Sequence, residues 1–402
     1  MSQISITESI KYIGVDDIDL DLFESQYSVP EGISYNSYLI IDDKIAILDT
    51  VDHRKCDEWW EKLEDALDGH TPHYLIVHHA EPDHAGSIAS TMERYPHMQV
   101  VASTRAIQLL SQFFPDTDFT HRSMVVREGD TLSLGHHTLL FAMAPMVHWP
   151  EVMITYDMTD KIAFTADAFG SFGALHSSGK DTTTGAKHAW PDEARRYYYN
   201  VCGKYGIPVQ NLLKRLSKME LNVICPLHGP VLSTNLNHYI DLYDQWSRYI
   251  PERGRILIAY ASIHGNTAAV ATHMAHMLAI KGAKEVITID LSRADMSEAV
   301  TEAFRAERLL LAASSYDASV FPPMHDFLHH LHLKGFQHRR IGIIENGSWA
   351  PAAGRTIKEM LHATNGITIV EPMVTIRSTM RMTDQPALDA LAEALLHGRS
   401  TP

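Results

Sequence analysis

Cysteine is scarce in this chain: Cys56, Cys202 and Cys225 are the only three in 402 residues. They are odd in number and widely scattered, which excludes a disulfide framework and a CxxC metal or redox pair. Any redox chemistry must therefore use another carrier. Long apolar runs are missing as well. None approaches the roughly 18 residues of a membrane span, and the start, MSQISITESIKYIG, has no basic flank followed by an apolar stretch; the expected location is the cytoplasm. Basic blocks are also absent. Lys and Arg number 34 against 49 Asp and Glu, a net charge of −15, which repels phosphate backbones and anionic membranes and leaves a small or neutral substrate.

What remains is an ordinary globular composition with one excess. Hydrophobic residues make up 45% and charged residues 21%, which rules out disorder and fibrous folds. Histidine numbers 25, and with reference pKa values near 6.5 these side chains hold the pI at about 5.9 despite the acidic excess.

Length alone predicts two or three domains, and the rhythm of the sequence changes near Tyr249–Gly254, a short Pro/Gly-containing stretch suited to a linker. Expected domains are therefore 1–250 and 254–402. The first is rich in hairpins: Asn36 to Ile41 with Lys44 to Asp49, and Val152 to Asp157 with Lys161 to Thr165. Strand-like runs at Tyr74 to His78 and Val223 to Pro226 and a helical stretch Cys56 to Leu67 make it a mixed α/β layer structure. After the linker, strand-like segments near Arg255, Val286, Arg308, Arg339 and Ile367 alternate with helices beginning near Thr267, Ser297, Pro323, Ala353 and Gln385. Five βα units in about 150 residues predict a doubly wound parallel sheet.

The sharpest local feature is His78-His79-Ala80-Glu81-Pro82-Asp83-His84, directly after the apolar run Tyr74 to Val77. Pro82 stops the strand, so His79, Glu81, Asp83 and His84 are expected to converge from a loop. Later strand ends add His148, Asp167 and His228. Four histidines and three carboxylates exceed the needs of one four-coordinate ion and suit two, with an aspartate as bridge; imidazole with carboxylate fits iron, zinc or manganese. His78 is left out because neighbouring strand residues point to opposite faces. Isolated histidines such as His53, His70, His176 and His276 are expected to be plain surface or core residues.

In the second half, Ser262-Ile263-His264-Gly265-Asn266-Thr267 follows an apolar strand. Hydroxyls, a small glycine and the free amides of a helix start can hold a dianion there without lysine. The turn is neither GxGxxG nor GxxxxGKS, which speaks against a dinucleotide fold and a nucleoside triphosphatase. Two further strand-end loops, Ser314-Ser315-Tyr316-Asp317 and Asn346-Gly347-Ser348-Trp349, bring polar groups and an aromatic ring each, as a flavin requires for stacking and for hydrogen bonds to its polar edge.

The HxExDH string with later His, Asp and His resembles the HxHxDH pattern of the metallo-β-lactamase superfamily. One position differs: Glu81 stands where hydrolytic members place a histidine, adding a hard anionic ligand that stabilises a redox-active ferric state. Together with the flavodoxin-like second half, and the stretches YNSYLI (Tyr35 to Ile40), HWPEVM (His148 to Met153), TADAFG (Thr165 to Gly170) and LHGP (Leu227 to Pro230), this variant resembles the flavodiiron proteins, or A-type flavoproteins, over essentially the whole chain. The resemblance implies a metallo-β-lactamase-like αββα sandwich followed by a flavodoxin-like doubly wound sheet. It implies two non-haem irons, one held by His79, Glu81 and His148 and the other by Asp83, His84 and His228, with Asp167 between them, and FMN in the second half. FMN would pass electrons to a centre that reduces O2 to water, NO to N2O or both, with Tyr27 and Tyr197 supporting proton supply. The implied donor is rubredoxin or another small redox protein or cofactor, and the implied assembly a head-to-tail homodimer or a homotetramer. The alternative reading is a dizinc hydrolase of esters or thioesters with a flavodoxin-like accessory domain. A third is an electron carrier with a closed, structural metal site.

Overall fold

Period-two apolar segments become strands and the longer 3.6-period segments become helices in the computed structural model, which describes residues 4–175 and 190–397. His176 lies outside the described residues, whereas His53, His70 and His276 are exposed. The chain divides into two compact units, Met1–Ser247 and Arg248–Pro402. No described helix is long and apolar enough to cross a membrane.

The first unit has two main sheets. One has seven strands in the order Ile4–Ser5, Ile10–Tyr12, Tyr38–Ile40, Ala46–Leu48, Tyr74–Ile76, Gln99–Ala102 and Ser123–Val125. The other has five, Thr131–Ser133, Thr138–Met143, Met153–Asp157, Ile162–Phe164 and Val223–Cys225. Tyr38, Leu48 and Ile76 from the first pack with Phe141, Met153 and Phe164 from the second in one core, so the sheets lie face to face. Leu39, Ile47, Leu75 and Val100 point the other way and are equally buried. That outer face needs helical cover, for which the helix Cys56–Leu67 buries Trp59, Leu63, Ala66 and Leu67. Both expected hairpins form, with Leu39 opposite Ile47 and Tyr156 opposite Ala163.

One edge of the five-stranded sheet matters for function. Thr138–Met143 and Ile162–Phe164 are each antiparallel to Met153–Asp157, and Val223–Cys225 is parallel to Ile162–Phe164. These three strands therefore end on the same edge, and His148, Asp167 and His228 follow their ends.

In the second unit the central parallel strands lie in the order Glu285–Asp290, Glu252–Ala261, Ala306–Tyr316 and Arg340–Asn346, with Thr368–Ile369 and Val374–Ile376 both beside the last. The strand second in sequence thus lies outside the first, the flavodoxin-like order. Ile256, Leu310 and Ile344 pack with Met274 and Leu391, which come from the helices Asn266–Ile280 and Gln385–His397. The helices Met296–Arg305, Pro322–Leu333 and Ala353–His362 also pack against the sheet strands. Part of the expected linker is strand. Glu252 to Gly254 open the strand Glu252–Ala261, and a register shift between Glu252 and Ile256 absorbs Gly254 at φ 82°, a bulge that an L side chain would strain. The two-residue strand Ser319–Val320 returns antiparallel to Ala306–Tyr316, an element that the period-two reading does not contain.

Candidate metal centre and cofactor cleft

Seven side chains from four strand ends meet in two groups in the first unit: His79, Glu81, His148 and Asp167, and Asp83, His84 and His228. In the first, Nε2 of His148 lies 2.9 Å from Asp167 Oδ2 and 3.2 Å from Glu81 Oε2. Nε2 of His79 lies 3.1 Å from Glu81 Oε2 and 3.5 Å from Asp167 Oδ2. In the second, Asp83 Oδ2 stands 3.4 Å from Nε2 of His84 and 3.3 Å from Nε2 of His228. Asp167 joins them, because its other oxygen, Oδ1, lies 3.2 Å from Nε2 of His84.

Local structure explains how short sequence spacings reach one point. Pro82 takes the first position of a one-turn helix, Pro82–Ala85, where its missing N–H costs nothing. Asp83 and His84 are therefore helical, and only His79 and Glu81 come from the expected loop. The His84 carbonyl accepts from the amide and hydroxyl of Thr50 at 3.0 and 2.6 Å. Ser34 pins His228: its carbonyl lies 2.8 Å from His228 Nδ1 and its hydroxyl accepts from Gly229 N at 2.7 Å. Gly229 has φ 75°, and a Cβ there would meet Ser171 Oγ at 2.1 Å, so the turn after His228 admits only glycine. His78 points away, bonding Asp49 through Nδ1 and Thr155 Oγ1 through Nε2.

The charges are tightly coupled. Burial works against ionisation throughout, yet His148 is pushed up to about 9 by Asp167 and Glu81, and Asp167, Glu151 and Glu81 raise His79 well above its ordinary range. Glu81 is drawn down to about 2, its burial outweighed by His148 and His79. Without metal, the cluster binds protons in the cations' place. Two metal ions suit the donor set. Asp83 Oδ1, Asp167 Oδ1, both nitrogens of His84 and Nε2 of His228 are buried without a hydrogen-bond partner, and buried polar atoms are otherwise nearly always paired. The nearby group His137, Asp157 and Asp160 differs. There His137 is satisfied on both sides, by Ser9 Oγ at 2.8 Å and Asp157 Oδ2 at 3.0 Å.

Tyr197 adjoins the centre, its ring 5.5 Å from that of His228. Burial, then Asp167, raises its hydroxyl well above the usual range, so it stays protonated. Tyr27 stands behind, donating its hydroxyl to the Asn200 carbonyl at 2.9 Å.

In the second unit a cleft of about 610 Å³ opens where the loops after Glu252–Ala261, Ala306–Tyr316 and Arg340–Asn346 meet. This is the point at which the strand order reverses, where open α/β sheets hold their ligands. Of the residues singled out in the sequence, all but Gly265 line it. Gly265, at φ 88°, caps the helix Asn266–Ile280 and donates its amide to Ser262 Oγ at 3.1 Å. Thr267 Oγ1 lies 2.9 Å from Ser314 Oγ. Ser315 is otherwise engaged, because its hydroxyl accepts from the amides of Ala352 and Ala353 at the start of the next helix. Trp349 is 90% exposed and Tyr316 45% at the rim.

A family model described as ODP family beta lactamase matches residues 33–229. The chain is 30% identical over 392 residues to a nitric oxide reductase of Moorella thermoacetica, covering 96% of each. The chain belongs to the flavodiiron family. It is also 28% identical over 403 residues to the anaerobic nitric oxide reductase flavorubredoxin of Escherichia coli, covering 98% of this chain and 81% of that one. Among solved structures it shares its fold with rubredoxin:oxygen oxidoreductase from Desulfovibrio gigas, at TM-score 0.89, 21% identity and 98% coverage of both chains. The likeness to the flavodiiron protein from Giardia intestinalis has TM-score 0.88 at 20% identity, covering 98% of this chain and 96% of that one. The first unit is thus metallo-β-lactamase-like and the second flavodoxin-like.

Three residues escape a reading of this flavodiiron sequence. Glu151 is buried behind His79, with Oε1 2.7 Å from Nδ1. Arg355 and Ser378 line the cleft from elements that follow the recognised loops. Glu151 stands between Trp149-Pro150 and the apolar run Val152 to Ile154, and neither it nor the other two carries a local signal of its role.

Proposed function

We propose that this protein is a flavodiiron oxidoreductase that reduces O2 to water, NO to N2O, or both. One observation carries the reading: Asp167 presents one oxygen to His148 and the other to His84, between two groups each holding histidine and carboxylate. His79, Glu81 and His148 would hold one iron and Asp83, His84 and His228 the other, with Asp167 as bridge. His84 is included because its Nε2 points at Asp167 and Asp83. When bound, such a pair supplies two adjacent redox-active positions for a diatomic gas, and FMN supplies single electrons. The chain's own residues set the conditions. Glu81 and Asp167 add anionic oxygen ligands, Phe23 and Tyr197 pack on His228 and exclude water there, and the Tyr197 hydroxyl keeps a proton beside the centre.

The cleft of the second unit would hold FMN, with Ser262 to Thr267 offering donors to its phosphate and Tyr316 and Trp349 offering aromatic surface to its ring. The diiron domain is then residues 1–250 and the FMN domain 254–402. Glu81 in a histidine's place, together with the cleft, speaks against the dizinc hydrolase. The three cysteines are scattered and form no CxxC pair, which suits the reducing cytoplasm and leaves electron delivery to a separate donor, rubredoxin or a similar small redox protein or cofactor.

The assembly we infer is a head-to-tail homodimer, or a homotetramer made of two such dimers, with the flavin of one chain serving the irons of its partner. Two-fold symmetry makes both contacts equivalent, and the exposed Trp349 at the cleft rim gives an aromatic surface that a partner covers. The test mixes an iron-deficient variant, Asp167→Ala, with an FMN-deficient variant in the Ser262 loop under conditions of subunit exchange. Each alone should be inactive and the mixture active. Heterodimers that form without activity would place electron transfer within one chain.

A further inference from the structure

The histidines of the metal centre share one orientation but not one environment. His79, His84 and His228 all direct Nε2 into the cluster, and their Nδ1 atoms face three different things. Nδ1 of His79 meets the carboxylate of Glu151 at 2.7 Å. Nδ1 of His228 meets the neutral carbonyl of Ser34 at 2.8 Å. Nδ1 of His84 is buried with no hydrogen-bond partner. Glu151 is 2% exposed and firmly placed, since its Oε1 also accepts from Ala80 N at 3.0 Å and its carbonyl accepts from Ser103 Oγ at 3.0 Å.

An imidazole that donates to a carboxylate is fixed in one tautomer and gives more electron density to its metal than one that donates to a carbonyl or to nothing. Greater density favours the more oxidised ion. The ligands themselves are balanced, two histidines and one carboxylate at each position with Asp167 common to both, so the carboxylate of Glu151 behind His79 is what sets the two positions apart.

We propose that Glu151 is a positioning residue that makes the two metal positions inequivalent, so that the ferric ion is held at the His79, Glu81 and His148 position while the first electron reduces the Asp83, His84 and His228 position. The proposal rests on the diiron reading above. Its redox change is a single electron delivered from the flavin to one iron, Fe(III) becoming Fe(II), with the second iron unchanged until the next electron arrives. The half-reduced centre then has one fixed arrangement of charges in place of two that interchange.

The test is an anaerobic redox titration of the holoprotein, followed by electron paramagnetic resonance and Mössbauer spectroscopy, on wild type, Glu151→Gln and Glu151→Asp. Wild type should show two separated one-electron steps with a mixed-valent species building up between them. In Glu151→Gln, the step assigned to the His79 position should shift to higher potential, the steps should close up and the mixed-valent maximum should fall. Glu151→Asp, which keeps the charge, should restore part of the separation. A Glu151→Gln protein that holds two irons per chain and titrates as wild type overturns the proposal; wild type that binds no iron overturns the diiron reading instead. If neither Glu151 variant folds, His84→Asn decides: it should alter the ferrous Mössbauer component of the mixed-valent protein and spare the ferric one, and the reverse pattern overturns the proposal.

Discussion

The imidazoles of His84 and His228 lie with ring centroids 4.6 Å apart, and the Nε2 atom of each is buried with no hydrogen-bond partner. Each such atom costs about 1–3 kcal/mol if left so, and both stand beside the same Asp83 oxygen. Coordination of one metal by all three would offset that cost. Anaerobic chelation should therefore lower the unfolding midpoint of the protein, since metal at a thousandfold excess over its Kd contributes about 4 kcal/mol. Calorimetry with and without iron checks this; an unchanged midpoint would mean that the two nitrogens are not ligands.

Asp167→Ala should abolish gas reduction and leave FMN bound, because Asp167 lies in one compact unit and the cleft in the other. Flavin absorbance and turnover measured on the same sample separate the two effects. Full turnover in this variant would remove Asp167 from the centre.

Ser262→Ala combined with Thr267→Val should weaken FMN binding. Each loses a hydroxyl donor to a charged phosphate, worth roughly 1.5–3 kcal/mol per bond, and Thr267 also loses its contact with Ser314. Fluorescence titration of the apoprotein with FMN reads the change. Unaltered affinity would move the phosphate elsewhere.

Metal binding should release protons. Despite burial, carboxylates hold His148 up to about 9 and keep His79 raised in the metal-free protein, so below that pH the imidazoles carry protons that a metal must displace. Apparent affinity should rise as pH climbs through the range in which His148, held up to about 9, loses its proton. Titration with Zn(II) in two buffers of different ionisation enthalpy gives the proton count at each pH, and a count of zero at neutral pH would contradict the pairing seen here.

What the sequence discloses and what it hides follow one physical line. The candidate ligands are legible because they follow strand ends: a strand's period-two pattern marks where it stops, and Asp167 and His228 follow within three residues of Phe164 and Cys225. The second sheet is legible for the same reason, five apolar strands alternating with five helices. Glu151 was not, since the fact that matters is its approach to His79, 72 residues away, and nothing local to Trp149-Pro150-Glu151 announces a partner that distant. Ser315 lines the cleft as expected but has a second task that the sequence hides. Its hydroxyl accepts from the first amides of a helix some 37 residues on, where such amides lack partners of their own. The one-turn helix Pro82–Ala85 is too short for periodicity to reveal, though Pro82 at its first position fits it.

The most direct measurement is stopped-flow reoxidation of the anaerobically purified, fully reduced protein, with iron and FMN quantified beforehand. Two irons and one FMN per chain are expected, with flavin absorbance returning as fast as O2 or NO is consumed in wild type and only slowly in Asp167→Ala. Equal flavin reoxidation in both proteins, or a wild-type preparation that holds FMN but no iron, would contradict electron flow from the flavin to a diiron centre.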